Sequence, residues 1–336
     1  MNKKTRKILI TTAKILVAMG LIIYLYKTTD IEQVKMIWEG LDIWDLVLVT
    51  VVFMLTIFIG AFRSIIFFRG MDIDLSYLLY AKLYYIGYFF NNFIPSGVGG
   101  DVMRGWIAGK RSENIKGSYS AILAERISGL LATVFIGLLF MLFIPTPKVL
   151  MLIIGGLNLG LWIIIFILLM PRLTDFIKKY FAFLPFGIAD KLSDFAAQVS
   201  SYRQKPMTLL AGFGMSVLYQ MSIIFSVWVA SLIIDSNVTF AEMCVIAPLV
   251  WTISMIPAAP NAIGIRETSF AKLFVLFGYS DAKGAFVGAL FLFVSLICGI
   301  IGGIMFAIDN MIAKKQGKLA LDHIPSEEEV EEKLPE

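Results

Sequence analysis

The feature that most constrains this chain is a series of apolar runs, each long enough to cross a lipid bilayer. A transmembrane helix needs about 20 apolar residues to cross a hydrocarbon core of about 30 Å. Six stretches reach that length: 8–26, 46–68, 118–144, 149–170, 207–234 and 282–308. With 58% hydrophobic and 16% charged residues, a soluble domain could not bury so much apolar surface. The sequence therefore predicts an all-α, polytopic membrane helix bundle.

Two further apolar segments, 78–106 and 243–277, are interrupted by proline and glycine at 95–100 and 257–264. Proline removes a backbone donor and glycine permits a turn. The backbone groups freed at such a break cannot face lipid. We therefore expect each segment to form a re-entrant hairpin, with two extra full spans as the alternative.

Basic residues are concentrated in the loops that this arrangement places on one side of the membrane. By the positive-inside rule, that side is the cytoplasm, so both termini are expected inside and the protein in the cytoplasmic (plasma) membrane. Two extra spans would instead export Lys110, Arg111 and Lys116. The first run lacks a small-residue cleavage site before Lys27, so we expect it to be a retained span and not a signal peptide.

The two broken segments correspond at a fixed offset. Pro95 and Pro257 are 162 positions apart, and so are Arg104 and Arg266. The same offset maps the second span onto the fifth and the third span onto the sixth. Each half, about 8–144 and 149–308, then contains two spans, a hairpin and a span. Because three spans is an odd number, the second half is predicted to be inverted, which is typical of transporters.

We expect one integral membrane domain over 1–312. Within it, 171–206 is too polar to span and has helical amphipathic spacing, which indicates either a helix on the cytoplasmic surface or an ordinary loop helix. The remaining 313–336 form an acidic cytoplasmic tail without apolar periodicity, and we expect this tail to be disordered.

Ionisable side chains at membrane depth are costly and are candidates for function. Asp101 and Arg104 are three residues apart and can pair on one helical face. Arginine suits a phosphate because its planar fork bonds two oxygen atoms, and a glycine-led helix start offers free backbone N–H groups. The candidate substrate-binding residues are Asn91, Asn92, Gly99, Gly100, Asp101, Arg104, Glu125, Arg126, Asn261, Arg266 and Glu267.

The alternative is that these charges only neutralise one another and pin the hairpins. Arg63, near the end of its span, and Lys82 are expected to snorkel to the interface. The aromatic run 84–90 is expected to serve helix packing or an interfacial belt.

Other chemistry is not indicated. The sequence contains no P-loop, Gly-x-Ser-x-Gly or His-Glu-x-x-His motif. Cys244 and Cys298 lie in apolar segments and His323 lies in the tail, so we expect no disulfide framework, metal site or histidine catalysis. No cofactor is expected. The net charge of +4 is spread along the chain and gives no nucleic-acid signal.

Three motifs carry a resemblance to a known family. They are Asn-Phe-Ile-Pro-Ser-Gly-Val-Gly-Gly-Asp-Val-Met-Arg at 92–104, Glu-Arg-Ile-Ser-Gly-Leu at 125–130, and Pro-Ala-Ala-Pro-Asn-Ala-Ile-Gly-Ile-Arg-Glu at 257–267. Together they resemble the lysylphosphatidylglycerol synthase transmembrane region, or flippase-like domain, over roughly 8–312. Asn261 stands where that family usually has glycine.

The resemblance implies translocation of lipid between leaflets. In the full-length synthases of this family, such a region precedes a soluble domain that transfers lysine from charged tRNA. About 25 polar residues follow the last span here, so we expect no lysyl transfer by this chain alone.

Our hypothesis is a flippase or transporter for a phospholipid or lipid-linked headgroup, in which the hairpins meet and three arginines hold a phosphate. These are Arg104, Arg126 and Arg266; Asp101, Glu125 and Glu267 would hold the arginines or engage a cationic headgroup. One alternative is a membrane-embedded headgroup transferase, such as a phosphatidylglycerol lysyltransferase or a glycolipid synthesis enzyme, with Asp101 or Glu125 as general base. The other is a non-catalytic docking subunit for a separate synthase or glycosyltransferase. A homo-oligomer stays open.

Overall fold

The computed structural model describes residues 3–93, 99–152, 155–156, 159–160, 163, 202, 205–255 and 258–315. Over these residues the chain is helical, without strands. The main α-helices, in chain order, are α1 (Lys3–Thr28), α2 (Ile31–Gly40), α3 (Ile43–Arg69), α4 (Tyr77–Phe93), α5 (Gly99–Ser112), α6 (Ile115–Met141), α7 (Pro206–Leu232), α8 (Phe240–Ser254), α9 (Ile265–Leu276) and α10 (Asp281–Lys315).

Four helices are long and apolar enough to span a membrane: α3, α6, α7 and the part of α10 up to Ile312. They confirm the spans predicted at 46–68, 118–144, 207–234 and 282–308. The predicted first span, 8–26, lies within α1 (Lys3–Thr28). The span predicted at 149–170 and the amphipathic segment at 171–206 fall mostly outside the described residues. Helix α10 continues three residues into the predicted tail, and the rest of that tail is also outside them.

Each proline-broken segment forms two short helices that pack against each other, α4 with α5 and α8 with α9. Helices α5 and α9 have 14 and 12 residues, which at 1.5 Å per residue gives about 21 and 18 Å. Neither length crosses a hydrocarbon core of about 30 Å, which favours hairpins over two extra spans. The tips at 94–98 and 256–257 lie outside the described residues, and the second tip continues as a 3₁₀ turn over Pro260–Ala262.

Helix α10 packs against both hairpins through glycines. A Cβ added at Gly288 would lie 2.8 Å from the Cα of Glu267 in α9, and one added at Gly302 would overlap the carbonyl oxygen of Tyr85 in α4. Small residues let helix backbones approach closely, which is how helices associate when the solvent is as apolar as their side chains. The last span therefore holds both hairpins in one bundle.

The helix contacts of the two halves correspond at the 162-residue offset. The pairs α4–α5, α5–α6 and α4–α10 in one half match α8–α9, α9–α10 and α8–α6 in the other. The opposite orientation of the two halves in the membrane stays a prediction.

Candidate functional site

Glu125 is the centre of a polar cluster inside the bundle. Its side chain is 1% exposed. It accepts hydrogen bonds from Arg63 Nη2 at 2.6 Å, from Arg104 Nη2 at 3.1 Å and from Ser64 Oγ at 2.9 Å. The Tyr84 hydroxyl also donates to it. Both carboxylate oxygens of Glu125 accept hydrogen bonds, and through these bonds Glu125 positions Arg63 and Arg104.

The depth of this cluster follows from helix geometry. Glu125 lies ten residues after Ile115, the start of α6, which corresponds to about 15 Å along the helix axis. The whole of α6 has 27 residues, or about 40 Å. Glu125 therefore lies within the hydrocarbon region of a helix that spans it, where an unpaired carboxylate would be costly.

The expectation that Arg63 snorkels is wrong. Arg63 is 7% exposed, and its guanidinium stacks on the ring of Tyr219 at 4.3 Å while it pairs with Glu125. Lys82, also expected to snorkel to the interface, pairs instead with Asp309 of α10. In both cases a carboxylate distant in sequence supplies the partner.

Arg104, which lies on α5, extends the cluster beyond Glu125. It pairs with Asp101 at 3.4 Å, which confirms the predicted contact on one helical face. Its guanidinium also lies 4.1 Å from the centre of the Tyr84 ring. Asp101 in turn pairs with Arg126, whose side chain is 46% exposed. The cluster contains three arginines, Arg63, Arg104 and Arg126, and two carboxylates, Glu125 and Asp101. It therefore has one excess positive charge.

A cavity of about 190 Å³ lies against this cluster. The aromatic run packs inside the bundle as expected, and two of its members, Tyr84 and Tyr88, also form part of the cavity wall. The full lining is Arg63, Tyr84, Gly87, Tyr88, Asn91, Asp101, Arg104, Glu125, Arg126 and Tyr219. The cavity is therefore bounded by α3, α4, α5, α6 and α7, with the partly exposed Arg126 as its most accessible cation.

One amide of the predicted glycine-led anion site at the start of α5 is already used by the protein. The Gly100 N–H donates to Asn91 Oδ1 at 2.8 Å, so the prediction of a free amide is wrong for Gly100. A Cβ at Gly100 would overlap the Gly87 carbonyl oxygen, which explains the glycine by the close approach of α4 and α5. Gly99 is buried at the first position of the same helix.

The second hairpin meets the first at its tip. Asn261 Nδ2 donates to Asn92 Oδ1 at 2.5 Å, and Asn92 Nδ2 donates to the Ser295 carbonyl at 2.8 Å. Arg266 Nη2 donates to the Asn261 carbonyl at 3.3 Å. Glu267 Oε2 accepts from the Gly264 N–H at 2.6 Å. The Asn92–Asn261 hydrogen bond therefore joins the two hairpins, and the Asn92–Ser295 hydrogen bond joins the first hairpin to α10.

Arg266 does not line the cavity beside Arg104. The arrangement expected from sequence, with Arg104, Arg126 and Arg266 around one phosphate, is therefore not present in this conformation. Aromatic rings lie between the two regions: Tyr88 lines the cavity and packs on Phe53, which packs on Phe291, the ring against the Arg266 guanidinium.

Comparison with known proteins decides the family. The family model described as Lysylphosphatidylglycerol synthase TM region matches residues 11–303. This chain belongs to that family. The match includes every residue of the Glu125 cluster and of the second hairpin. A UPF0104 membrane protein of Pyrococcus horikoshii is similar, with 24% identity over 326 residues that cover 87% of this chain and 95% of the relative. No solved structure matches this chain.

Membership of the Lysylphosphatidylglycerol synthase TM region family agrees with the resemblance carried by the three motifs and with a multi-pass membrane protein.

Cys244 and Cys298 are free and buried. Among the described residues, no group of three His, Cys, Asp or Glu side chains could hold a metal ion.

Proposed function

We propose that this protein moves a phospholipid or lipid-linked headgroup between the leaflets of the cytoplasmic membrane. The observation that carries the proposal is the chain of ion pairs that runs from the buried Arg63 to the partly exposed Arg126. This chain lines a cavity at membrane depth and has an excess positive charge. Ionisable groups at this depth are expensive, and they typically mark a path for a polar substrate.

Arg126 is the group that makes first contact with a phosphate. It uses Nε to pair with Asp101, so its two Nη groups are available to bind phosphate oxygens. Arg104 lies behind it, held by Glu125 and Asp101, so the second cation is positioned before the ligand arrives. A zwitterionic or neutral remainder of the headgroup would contact Tyr88 and Asn91, which also line the cavity.

The hairpins and α10 provide the moving parts of the proposal. Helix α10 contacts both hairpins. The Asn92–Asn261 hydrogen bond joins the end of α4 in the first hairpin to the 3₁₀ turn of the second. Rocking of one half against the other would break this contact and expose the headgroup to the opposite side, as in transporters built from inverted repeats. In this scheme both termini lie in the cytoplasm.

The transferase alternative finds no support in the geometry. A general base needs an available carboxylate oxygen within reach of the substrate. Both oxygens of Glu125 accept hydrogen bonds, and the two oxygens of Asp101 contact Arg104 and Arg126. The docking surfaces of the subunit alternative, 171–206 and 313–336, lie largely outside the described residues.

Translocation in proteoliposomes tests the proposal. A fluorescent phosphatidylglycerol in the inner leaflet becomes accessible to an impermeant quencher only if it crosses the membrane. We expect Arg126→Gln to slow translocation about 10- to 100-fold, because a hydrogen bond to a charged group contributes about 1.5–3 kcal/mol. Arg69→Gln is the matched control, since Arg69 pairs with Asp74 at the end of α3 with 63% of its side chain exposed.

Two results would contradict the proposal. Wild-type protein that moves no more lipid than protein-free liposomes would remove the activity. Equal rates for wild type and Arg126→Gln would separate any activity from the arginine cavity.

A further inference from the structure

Arg266 is a buried cation that forms no ion pair among the described residues. It is 8% exposed, and its Nε and Nη1 atoms are buried without a hydrogen-bond partner. Within the described part of the chain, its hydrogen bonding is limited to Nη2, which donates to the Asn261 carbonyl at 3.3 Å. Within the described residues, no carboxylate lies within ion-pair distance of it.

Glu267, the next residue, does not fill this role. Its Oε2 accepts from the Gly264 N–H at the start of α9, and its Oε1 has no partner. The residue equivalent to Arg266 in the first half is Arg104, which pairs with both Asp101 and Glu125. One arginine of the related pair is therefore neutralised by the protein and the other is not.

Arg266 is the second residue of α9 (Ile265–Leu276). The Glu267 carboxylate caps the N-terminus of this helix through the Gly264 N–H, and it leaves the Arg266 guanidinium without an ion pair. Because an unpaired buried charge is strongly unfavourable, and a guanidinium matches the geometry of an oxyanion, Arg266 is suited to a ligand that supplies negative charge.

We infer that Arg266 is the anion-binding group of a second site, at the start of α9, that takes a phosphate-type oxyanion. In this conformation the site is closed. The ring centre of Phe291 in α10 lies 4.7 Å from the guanidinium carbon, and the Asn92–Asn261 hydrogen bond holds the 3₁₀ turn Pro260–Ala262 against α4. Separation of this turn from α4 opens the site.

The use of this site follows from its place beside the first cavity. Asn91 lines that cavity, and the next residue, Asn92, accepts a hydrogen bond from Asn261, whose carbonyl holds Arg266. A headgroup that leaves Arg126 and Arg104 therefore reaches Arg266 when the Asn92–Asn261 hydrogen bond breaks. This role as a second station rests on the proposed function. The binding of an oxyanion at Arg266 does not, because it can be measured without translocation.

The test is a calorimetric titration of the purified full-length protein in detergent micelles, with inorganic phosphate and separately with a water-soluble short-chain phosphatidylglycerol. We expect wild type to bind two equivalents and Arg266→Gln to bind one. Lys272→Gln is the matched control, because it removes a cation from the exposed face of the same helix, and it should bind two. Binding of both probes shows that the oxyanion suffices, whereas binding of the lipid alone identifies a lipid headgroup as its source.

Arg126→Gln distinguishes this inference from the proposed function. Loss of one equivalent in Arg126→Gln with none lost in Arg266→Gln overturns the second site and leaves the first intact. The converse pattern supports the second site and removes the first. Absence of binding in wild type overturns both.

The ligand-free unfolding temperature provides an independent check. Since Arg266 forms no ion pair that its removal would break, Arg266→Gln should unfold at a temperature no lower than Lys272→Gln. If Arg266→Gln does not fold, Arg266→Lys replaces it in the titration. That variant keeps the charge but loses the planar fork, and its second equivalent should bind at least about 10-fold more weakly; unchanged affinity would overturn the inference.

Discussion

Replacing Glu125 with glutamine removes the central negative charge of the cluster with little change in shape. The side chain keeps one acceptor oxygen, but its new amide would face the donors of Arg63, Arg104 and Ser64. Of these two arginines, Arg104 would keep a carboxylate partner in Asp101, and Arg63 would have no ion-pair partner left among the described residues. The change therefore tests whether the carboxylate holds the site together.

The expected loss of stability is large. Breaking a buried ion pair by removing one partner costs about 3–5 kcal/mol. Glu125 is 1% exposed and pairs with two arginines, so we expect a value near the top of that range, about 5 kcal/mol. The matched control is Glu39→Gln, which breaks the exposed pair with Lys35 at 3.7 Å and should cost about 0.5 kcal/mol or less.

Unfolding in mixed micelles of rising denaturing-detergent content measures both variants. A double-mutant cycle with Arg63→Met isolates the pair, because removing Arg63 no longer leaves a charged partner behind when Glu125 is already neutral. We expect a coupling of about 1–3 kcal/mol. A loss of stability in Glu125→Gln no larger than that in Glu39→Gln, or a cycle without coupling, would refute the cluster as the structural centre.

Two further predictions concern packing and helix ends. Gly302→Ala should destabilise the protein by about 1–3 kcal/mol, because the new methyl group would overlap the Tyr85 carbonyl. The control is Gly214→Ala, which has open space around it and should be neutral or stabilising by up to about 1 kcal/mol. Equal unfolding midpoints for the two variants would argue against the α4–α10 contact. Thr239→Ala should cost about 1 kcal/mol, because Thr239 and Glu242 form a capping box at the start of α8, and a midpoint equal to wild type would show that the cap contributes nothing.

The spans and the hairpin helices could be predicted because their signals are local. Apolar length identifies a span within a few residues, as for 46–68 within α3 (Ile43–Arg69). The Asp101–Arg104 pair was also within reach, since three-residue spacing on a helix brings side chains together. Proline and glycine marked where the broken segments turn. These features need no knowledge of distant neighbours.

The partners of Arg63 and Lys82 could not be predicted in the same way. Arg63 is 62 residues from Glu125, and Lys82 is 227 residues from Asp309. Near the end of a span, a basic residue has the same local pattern whether it snorkels or pairs inside the bundle. One signal was present: Glu125 lies within an apolar helix beside a single cation, Arg126, which is directed to Asp101, so a buried carboxylate there required partners from other helices.

The sequence also could not predict that Arg104 and Arg266 lie in different regions, and the reason here is different. Their equal spacing from Pro95 and Pro257 indicates related positions in two halves, but related positions need not share one cavity. Which arginine is neutralised depends on carboxylates that only the first half supplies, namely Glu125 and Asp101.

The most direct measurement is photo-crosslinking in proteoliposomes with a phospholipid that carries the reactive group on its headgroup, followed by mass-spectrometric mapping of the labelled residues. If the arginine cavity takes the headgroup, labels fall on its wall, at Tyr84, Tyr88 and Asn91, and decline in Arg126→Gln. Labels confined to exposed outer positions such as Trp44 and Leu78, unchanged in that variant, would contradict an internal path for the lipid.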